Sequence, residues 1–399
     1  MAVGTASGLR ARNRDMVLRQ IAFGTSVSRK QISEQTGLTG AAVSRITREL
    51  IEAGLVQESG SLKTKGQVGR RNIQLELGGD GAFVLGIALT ANVRSVSISN
   101  CRGDIIARRK VANLNMKNPN EAVRQLATAA GRLIKSTNFD ASRLVGCGVS
   151  VAGLADPATG DLIQAAPLGW DKFPLGADFS DRLGLPVHVE GRPIALLMAE
   201  HCGGAAAGLK NVMLVSNGIW VGGAMMLDGT MLRGQNNMVG QIPHLAVQGN
   251  KTLCTCGRKG CLNAVASGAA ILSKLEHIRI PGDLRHGEPG DRLQALTNLP
   301  GPWSSEIRKV FKNAGRKMGF SIDQILSIID PELVLLAGAA GRQADYIDGV
   351  RETLGNIRAG NDFCPILASK VTSDQSAAWL ALNAFVYSHS LNIGQLRAA

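Results

Sequence analysis

The spacing of apolar residues predicts three short helices near the start of the chain. The first covers residues 14–23, in which three apolar side chains share one face. The second begins after Ser28, whose hydroxyl can cap the free backbone N–H groups, and ends at Gly37. The third begins after Thr39, another capping residue, and runs to about Ala53. Two short capped helices joined by a Gly-Leu-Thr turn predict a helix-turn-helix.

The third predicted helix has two different faces. Val43, Ile46 and Leu50 recur at helical spacing and face the core. The opposite face is small or cationic, which lets the helix enter a DNA major groove, with Ser44 and Arg45 at base edges and Arg48 at phosphate. The predicted DNA contacts are Ser28, Arg29, Thr39, Gly40, Ala41, Ser44, Arg45, Arg48, Lys63, Lys65, Arg70 and Arg71.

Residues 55–77 alternate between apolar and polar positions on both sides of a segment rich in glycine and lysine. This pattern predicts a hairpin with a basic tip that ends in Gly69-Arg70-Arg71, which is typical of a wing. The alternative is a small helical protein-interaction module with a solvated positive face. The helix-turn-helix spacing, the small and basic outer face and the basic hairpin coincide, so we favour DNA binding.

From Gly81 the pattern changes to strands with period-two alternation and β-branched residues. Three runs over 82–89, 94–100 and 105–114 predict a meander, and a helix over 120–136 and an apolar strand over 144–154 follow. Strands and helices alternate onward, which predicts an α/β body with a mixed sheet.

Length and charge add to this picture. A chain of 399 residues exceeds one ordinary core and predicts two or three domains. Residues 1–75 hold twelve cationic and five acidic residues, so they carry +7 of the net charge of +13. No signal-peptide core and no membrane-length apolar run occurs, so we expect a cytoplasmic protein that is nucleoid-associated when bound to DNA.

Four metal-binding side chains lie within eighteen residues. His244, Cys254, Cys256 and Cys261 suit a closed tetrahedral Zn²⁺ site, and closed coordination leaves no position for a catalytic water, which makes the zinc structural. The alternative is three thiols without metal and an unrelated histidine. The remaining cysteines are predicted to be core residues, namely Cys101, Cys147, Cys202 and Cys364.

Five features together resemble one known family, namely the N-terminal winged helix, VAGLADPATG, GGAMMLDGTMLRGQNNMVGQIPHLAV, CTCGRKGCLNAVAS and DPELVLLAGAAG. With them the chain resembles regulators of the ROK family (repressors, open reading frames, kinases) over nearly its whole length. The resemblance implies a winged helix-turn-helix followed by a two-lobed, ribonuclease-H-like body of the actin-type ATPase class, assembled as a homodimer or a dimer of dimers. The domains implied are 1–80 for DNA binding, 81–195 for the first lobe, completed by a C-terminal helix over about 373–399, and 196–372 for the second lobe.

Sugar kinases of the same family provide the rival function. The resemblance places Ala88 where the kinases have the acid of Asp-x-Gly-x-Thr, and Thr90 where they have its glycine. Gly191-Arg192 stands at the kinases' Asn-Asp pair, and a guanidinium cannot act as the general base. Phosphoryl transfer is therefore not expected.

The family's sugar-binding signature is also altered. Gln241 and Asn263 stand where the family has glutamates, so two negative charges are lost while Arg192 adds a positive one. We expect an anionic effector such as a sugar phosphate or sugar acid. The effector residues implied are Trp170, Arg192, Gln241, His244 and Asn263. The alternative is that Arg192 fills a collapsed cleft and pairs with Glu190 or Glu200.

The function that follows is a DNA-binding repressor of carbohydrate-related genes. Its partners are a double-stranded DNA operator and a sugar, sugar-phosphate or sugar-acid effector in the cleft between the lobes, and a membrane is not among them. Two alternatives remain open, a sugar kinase and a DNA-binding regulator that responds to no effector.

Overall fold

The computed structural model describes six stretches of the chain, and the structural statements below refer to them. They are residues 6–24, 27–61, 73–278, 287–299, 303–358 and 363–398. Within these stretches, no helix has both the length and the apolar composition that crossing a bilayer requires.

Three helices and a three-stranded sheet form the N-terminal part. In chain order its elements are α1 (Ala6–Phe23), β1 (Val27–Ser28), α2 (Arg29–Thr36), α3 (Gly40–Glu52), β2 (Val56–Ser61) and β3 (Ile73–Leu77). The middle strand is β3, which pairs antiparallel with both β1 and β2. The predicted helices and the strands of the predicted hairpin are therefore confirmed.

Local capping explains where α2 and α3 begin and end. Ser28 and Gln31 form a reciprocal capping box, and Gly37 ends α2 in the left-handed region at φ 71°. The hydroxyl of Thr39 accepts a hydrogen bond from the backbone of Ala42 and so caps α3. The first helix is longer than predicted, since α1 begins eight residues before residue 14. None of residues 7–16 is buried.

A five-stranded mixed sheet, named here the first sheet, follows. The elements of this region are β4 (Phe83–Leu89), β5 (Arg94–Asn100), β6 (Ile105–Lys110), α4 (Pro119–Ser136), β7 (Leu144–Val151), β8 (Leu154–Asp156), β9 (Asp161–Gln164), α5 (Leu175–Leu183) and β10 (Val187–Gly191). The strand order is β10-β7-β4-β5-β6, with β8 and β9 in a separate hairpin. The antiparallel β4-β5-β6 meander, the helix α4 and the apolar strand β7 confirm the predicted pattern.

A second five-stranded sheet, named here the second sheet, follows a connecting helix. The elements are α6 (Arg192–Gly203), β11 (Val212–Asn217), β12 (Val221–Leu227), β13 (Thr230–Met231), α7 (Asn263–Ala266), α8 (Gly268–Leu275), α9 (Pro289–Thr297), α10 (Ser305–Ile329), β14 (Leu333–Ala337), α11 (Gly338–Gly341), α12 (Ala344–Ile357) and β15 (Ile366–Ala368). The strand order is β13-β12-β11-β14-β15, in which β11, β14 and β15 run parallel. The predicted boundary between residues 195 and 196 falls inside α6, which contacts strands of both sheets.

The C-terminal part is not the single helix predicted over 373–399. Helix α13 (Ser373–Ala381) packs on the first sheet and continues as a π-helical turn over Leu382–Val386, and α14 (Ile393–Ala398) follows after a break. The break begins at Tyr387, whose side chain is fully buried and whose hydroxyl donates to the carbonyl oxygen of Cys101. The backbone leaves helical geometry at Tyr387, with φ −88° and ψ 59°.

One hydrophobic core joins the N-terminal helices to the C-terminal part. It contains Leu18 of α1, Leu50 of α3 and Leu396 of α14. Across the same contact, the Arg19 guanidinium donates to Asn383 Oδ1 at 3.0 Å. The N-terminal part therefore packs against the C-terminal part, in addition to its covalent connection through the chain.

The indole ring of Trp379 lies where α1, α6 and α13 meet. Its centroid is 6.0 Å from that of Phe23 and 6.1 Å from that of Tyr387. Glycines allow the close approach, because a Cβ at Gly103 would lie 2.6 Å from the ring and one at Gly203 would lie 3.3 Å away. The ring thus contacts the N-terminal part, the β5–β6 turn and α6 at once.

Candidate functional site

The outer face of α3 is exposed and carries the residues predicted to contact DNA. Thr39 lies at the N-cap, and the exposed residues of the face are Gly40, Ala41, Ser44, Arg45 and Arg48. Arg45 and Arg48 form no hydrogen bond or ion pair with any residue that the structure describes. Their guanidinium groups are therefore available to an anionic partner.

Two other predicted DNA contacts are already used within the protein. Ser28 is 3% exposed, and its hydroxyl is taken up by the capping box of α2. Arg29 donates from Nε to Thr47 Oγ1 at 3.0 Å and pairs through Nη2 with Glu58 at 2.8 Å. Both side chains therefore hold α2 against its neighbours. The remaining predicted contacts lie outside the described residues, namely Lys63, Lys65, Arg70 and Arg71.

The predicted metal ligands come together. One ligand atom from each of His244, Cys254, Cys256 and Cys261 lies within 4.8 Å of all the others. The Sγ atoms of Cys256 and Cys261 are 3.7 Å apart, close to the roughly 3.8 Å between two sulfurs bound 2.3 Å from a tetrahedral ion. The buried Nδ1 of His244 has no hydrogen-bond partner among the described residues. The donor set and its spacing therefore fit a tetrahedral metal ion.

A tight loop between residues 250 and 262 creates this cluster. The backbone N–H of Cys254 donates to the carbonyl oxygen of Arg258 at 2.8 Å, and Gly257 and Gly260 turn the chain at φ 83° and 85°. A bridge between Ala246 and Cys261 brings the segment after His244 to the loop.

The surroundings of the cluster shift the pKa values of its ligands in different directions. Hydrogen bonds from Arg258 lower the pKa of the Cys256 thiol to about 6. Burial, followed by the charge of Arg258, lowers the pKa of the His244 imidazole. Burial and the neighbouring thiols raise the pKa of Cys261 to about 11. Because three thiolates this close repel one another, the cluster needs a divalent cation to hold them all ionised.

Arg192 lies at the start of α6, between the two sheets. Its Nη1 donates to Ser216 Oγ in β11 at 2.5 Å, and its buried Nε has no partner among the described residues. Burial, together with the nearby charge of Arg342, lowers the pKa of Arg192 to about 10.

The expected alternative partners of Arg192 are engaged elsewhere. Glu190 pairs with Arg233 at 2.6 Å, and Glu200 accepts the backbone N–H of Ala205 at 2.7 Å. The alternative in which Arg192 pairs with Glu190 or Glu200 is therefore wrong.

The other predicted effector residues have different surroundings. Trp170 is 3% exposed and its Nε1 donates to the carbonyl oxygen of Met116 at 2.6 Å, so the ring packs the core and its predicted stacking on a ligand is wrong. Asn263 is nearly buried, and its Oδ1 accepts the N–H of Val221 at 2.9 Å. Gln241 is exposed and precedes the short 3₁₀ helix that ends at His244, so the five residues do not form one compact set.

The positions matched to kinase phosphate contacts are closed by packing. Ala88 is 1% exposed in β4, and the hydroxyl of Thr90 accepts the N–H of Val93 at 2.8 Å. A Cβ at Gly290 in α9 would lie 2.7 Å from the Cβ of Asn92, so α9 sits directly on the β4–β5 loop. Ala88 therefore places a buried methyl group in β4, and α9 covers the loop that follows the strand.

Sequence reasoning missed Ser216 and Arg342 as neighbours of Arg192. Arg342 directly follows α11, after the run of glycine and alanine that ends β14. The carboxyl ends of parallel strands are the usual place for ligand contacts, so this position was an available signal.

Comparisons with known proteins agree with this architecture. The ROK family model matches residues 84–381, so the first 83 residues lie outside it. A xylose repressor from Caldicellulosiruptor bescii is 27% identical over 88% of this chain and 89% of that protein. The solved structure of a ROK family transcriptional regulator, a homologue of the Escherichia coli MLC protein, has a TM-score of 0.77 at 20% identity and covers 98% of this chain and 100% of that one.

A kinase structure matches a smaller share of this chain than the regulator structure does. The structure of a ROK family glucokinase from Streptomyces griseus in complex with glucose and AMPPNP has a TM-score of 0.61 at 20% identity. It covers 76% of this chain and 99% of that one, whereas the regulator structure covers nearly all of this chain. Because the family model spans about three quarters of the sequence, this chain belongs to the ROK family.

Proposed function

We propose that this protein is a DNA-binding transcriptional repressor of carbohydrate genes, and that a sugar or an anionic sugar derivative bound between its lobes changes its affinity for the operator. The observation that carries the proposal is the outer face of α3, where small residues surround the unengaged Arg45 and Arg48. Such a face can lie in the major groove with its cations at bases and phosphates. The relative named as a xylose repressor supports the same function.

Catalysis is not part of the proposal. A kinase needs a carboxylate that accepts the proton of the sugar hydroxyl, and this chain has Arg192 in the matching position. Ala88 and the packed β4–β5 loop leave no acid at the matching phosphate position. The cleft retains binding groups without a general base, which suits a sensor.

Zinc is the proposed ion at the His244, Cys254, Cys256 and Cys261 cluster. When bound by all four ligands, Zn²⁺ supplies a closed structural crosslink with no open position. The protein's own contribution is the loop that presents three thiols and the short 3₁₀ helix that presents the imidazole. The crosslink would hold Gln241 and Asn263 at fixed positions beside the cleft.

We further propose three functional units. Residues 1–80 read DNA, residues 81–195 together with the segment after 373 form the first lobe, and residues 196–372 form the second. Helix-turn-helix dimers bind two DNA half-sites about one helical turn apart. Two copies of the chain would supply one recognition helix for each half-site. A homodimer is therefore the smallest assembly that fits the proposal.

Replacing Arg45 by alanine should weaken binding to the operator by about 1–3 kcal/mol and relax base preference at one position of each half-site. Replacing Arg48 by alanine should weaken binding to all sequences alike and make the affinity less dependent on salt. Selection of binding sequences with the purified full-length chain supplies the operator, and fluorescence anisotropy at several salt concentrations measures both effects.

The matched control is Arg124→Ala, which removes the same charge from α4, where Arg124 pairs with Glu121. This variant should bind the operator like the wild type. If Arg45→Ala and Arg124→Ala bind equally well, α3 does not read DNA.

A further inference from the structure

Arg192 and Arg342 meet at the carboxyl edge of the second sheet. Ser216 in β11 pairs with Ala337 in β14, and the chain leaves β14 through α11 to reach Arg342. A Cβ at Gly341 would lie 3.3 Å from the Cβ of Asn217, so α11 turns back toward the end of β11. Arg192 directly follows β10 of the first sheet and donates a hydrogen bond to Ser216 at the same edge.

Neither guanidinium has its charge neutralised. Arg192 donates to the Ser216 hydroxyl and Arg342 to the carbonyl oxygen of Val371, which are both uncharged acceptors. The Nε atoms of both are buried without a partner, and neither forms an ion pair with a carboxylate of the described residues. Glu200, whose charge acts on Arg342, instead accepts backbone N–H groups at Ala205, Lys370 and Val371.

Two unpaired cations held together away from water destabilise a protein unless something offsets their charge. Two other half-buried arginines of this chain have such an offset, since Arg233 pairs with Glu190 and Arg358 with Asp323. Arg192 and Arg342 differ because neither has a carboxylate partner among the described residues, and the charge of Arg342 also acts on Arg192. Uncompensated charge in a cleft is typical of a functional site.

We propose that Arg192 and Arg342 form the anion-binding half of the effector site and hold the phosphoryl or carboxylate group of a sugar derivative. The inference rests on the proposed function, which places an effector between the lobes, and it adds the ligand's charge and a second arginine. Planar guanidinium groups bind phosphate and carboxylate oxygens through two parallel hydrogen bonds, which a neutral sugar hydroxyl cannot match.

Arg342 also connects this site to the N-terminal part through contiguous contacts. It bonds the carbonyl of Val371 directly before α13, and α13 carries Trp379, which touches Phe23 of α1. A ligand that accepts hydrogen bonds from Arg342 therefore binds next to the start of α13, the helix that contacts α1. It changes the position of α13 if α13 has two positions and the ligand binds one of them more tightly.

The test is titration calorimetry of the full-length chain with inorganic phosphate, glucose, glucose 6-phosphate and gluconate. Phosphate and at least one anionic sugar should bind, and the affinity for glucose should be at least about tenfold lower than that for the anionic sugar. Preference for glucose 6-phosphate identifies a phosphoryl group as the ligand's anion, and preference for gluconate identifies a carboxylate. Glucose binding as tightly as both derivatives would overturn the inference, and so would the absence of binding by every anion.

The variants Arg192→Gln and Arg342→Gln should each weaken anion binding about tenfold or more and remove the thermal stabilisation that phosphate gives the wild type. Arg316→Gln, which removes a charge paired with Glu352 on the far side of the second sheet, should bind like the wild type. Unchanged anion affinity in both cleft variants contradicts the inference. If one variant does not fold, the preference of the wild type for anions over glucose still tests the anion site.

Operator binding, measured separately, distinguishes this inference from the proposed function. A chain that prefers anions and binds no operator refutes the repressor function and leaves the anion site in place. A chain that binds its operator and shows no preference for anions refutes only the anion site.

Discussion

The variant Cys254→Ser is expected to lose the zinc proposed at the His244, Cys254, Cys256 and Cys261 cluster and to melt at a lower temperature than the wild type. Cys254 is 3% exposed, and its backbone closes the loop that brings the other two thiols into place. Binding energy at a structural zinc site contributes directly to folding, with about 10–16 kcal/mol in small zinc peptides, so loss of one of four ligands has a large effect. Leu262, which follows Cys261, is fully buried in the core beside the second sheet.

Metal content measured by atomic absorption and thermal melting with and without a chelator test this expectation. The matched control is Cys364→Ser, which removes a half-buried thiol outside the cluster and should keep one zinc per chain. Hydrogen exchange in α3 should stay unchanged in both variants. One zinc equivalent and an unaltered melting temperature in Cys254→Ser would show that the four side chains do not form a metal site.

The variant Trp379→Ala is expected to loosen the N-terminal part from the body. Its ring contacts Phe23 and Tyr387 and fills the space above Gly103 and Gly203. Loss of a packed tryptophan costs about 3 kcal/mol, at the lower end of the usual range because this ring is only partly buried. Operator binding should persist, whereas the response of operator affinity to an effector should decline, because the contact between α13 and α1 is lost.

Hydrogen exchange of the α1 amides measures the loosening, and anisotropy with and without the best-binding anion measures the response. Trp303→Ala is the matched control because Trp303 packs on Phe311, with ring centroids 4.8 Å apart, within the core of the second sheet. It should lower stability and leave exchange in α1 unchanged. Equal exchange of α1 in the two variants would contradict a coupling role for Trp379.

The elements with local signals were predicted well. Ser28, Gly37 and Thr39 mark the ends of α2 and α3 because capping depends on residues only a few positions apart. The three cysteines of the metal cluster were predictable for the same reason, since they lie on one short loop. The start of α1 was missed because its first turns bury no face and so carry no periodic apolar signal.

The cleft was harder to predict because its contacts come from distant parts of the chain. Trp170 is buried and donates a hydrogen bond to the carbonyl oxygen of Met116. The apolar periodicity of the sequence does not identify a partner so far along the chain. Arg342 reaches the vicinity of Arg192 only through the parallel pairing of β11 with β14. The charge changes in the sequence singled out Arg192 as a candidate, but its neighbours Ser216 and Arg342 could be identified only from the sheet topology.

The shared core of α1, α3 and the C-terminal part has a consequence for synthesis on the ribosome. The residues proposed to read DNA are synthesised well before their packing partners Tyr387, Leu391 and Leu396. A nascent or truncated chain that lacks these partners therefore presents the proposed recognition helix without the surface that supports it. We expect premature termination products to compete poorly for operators, so that only finished chains occupy them.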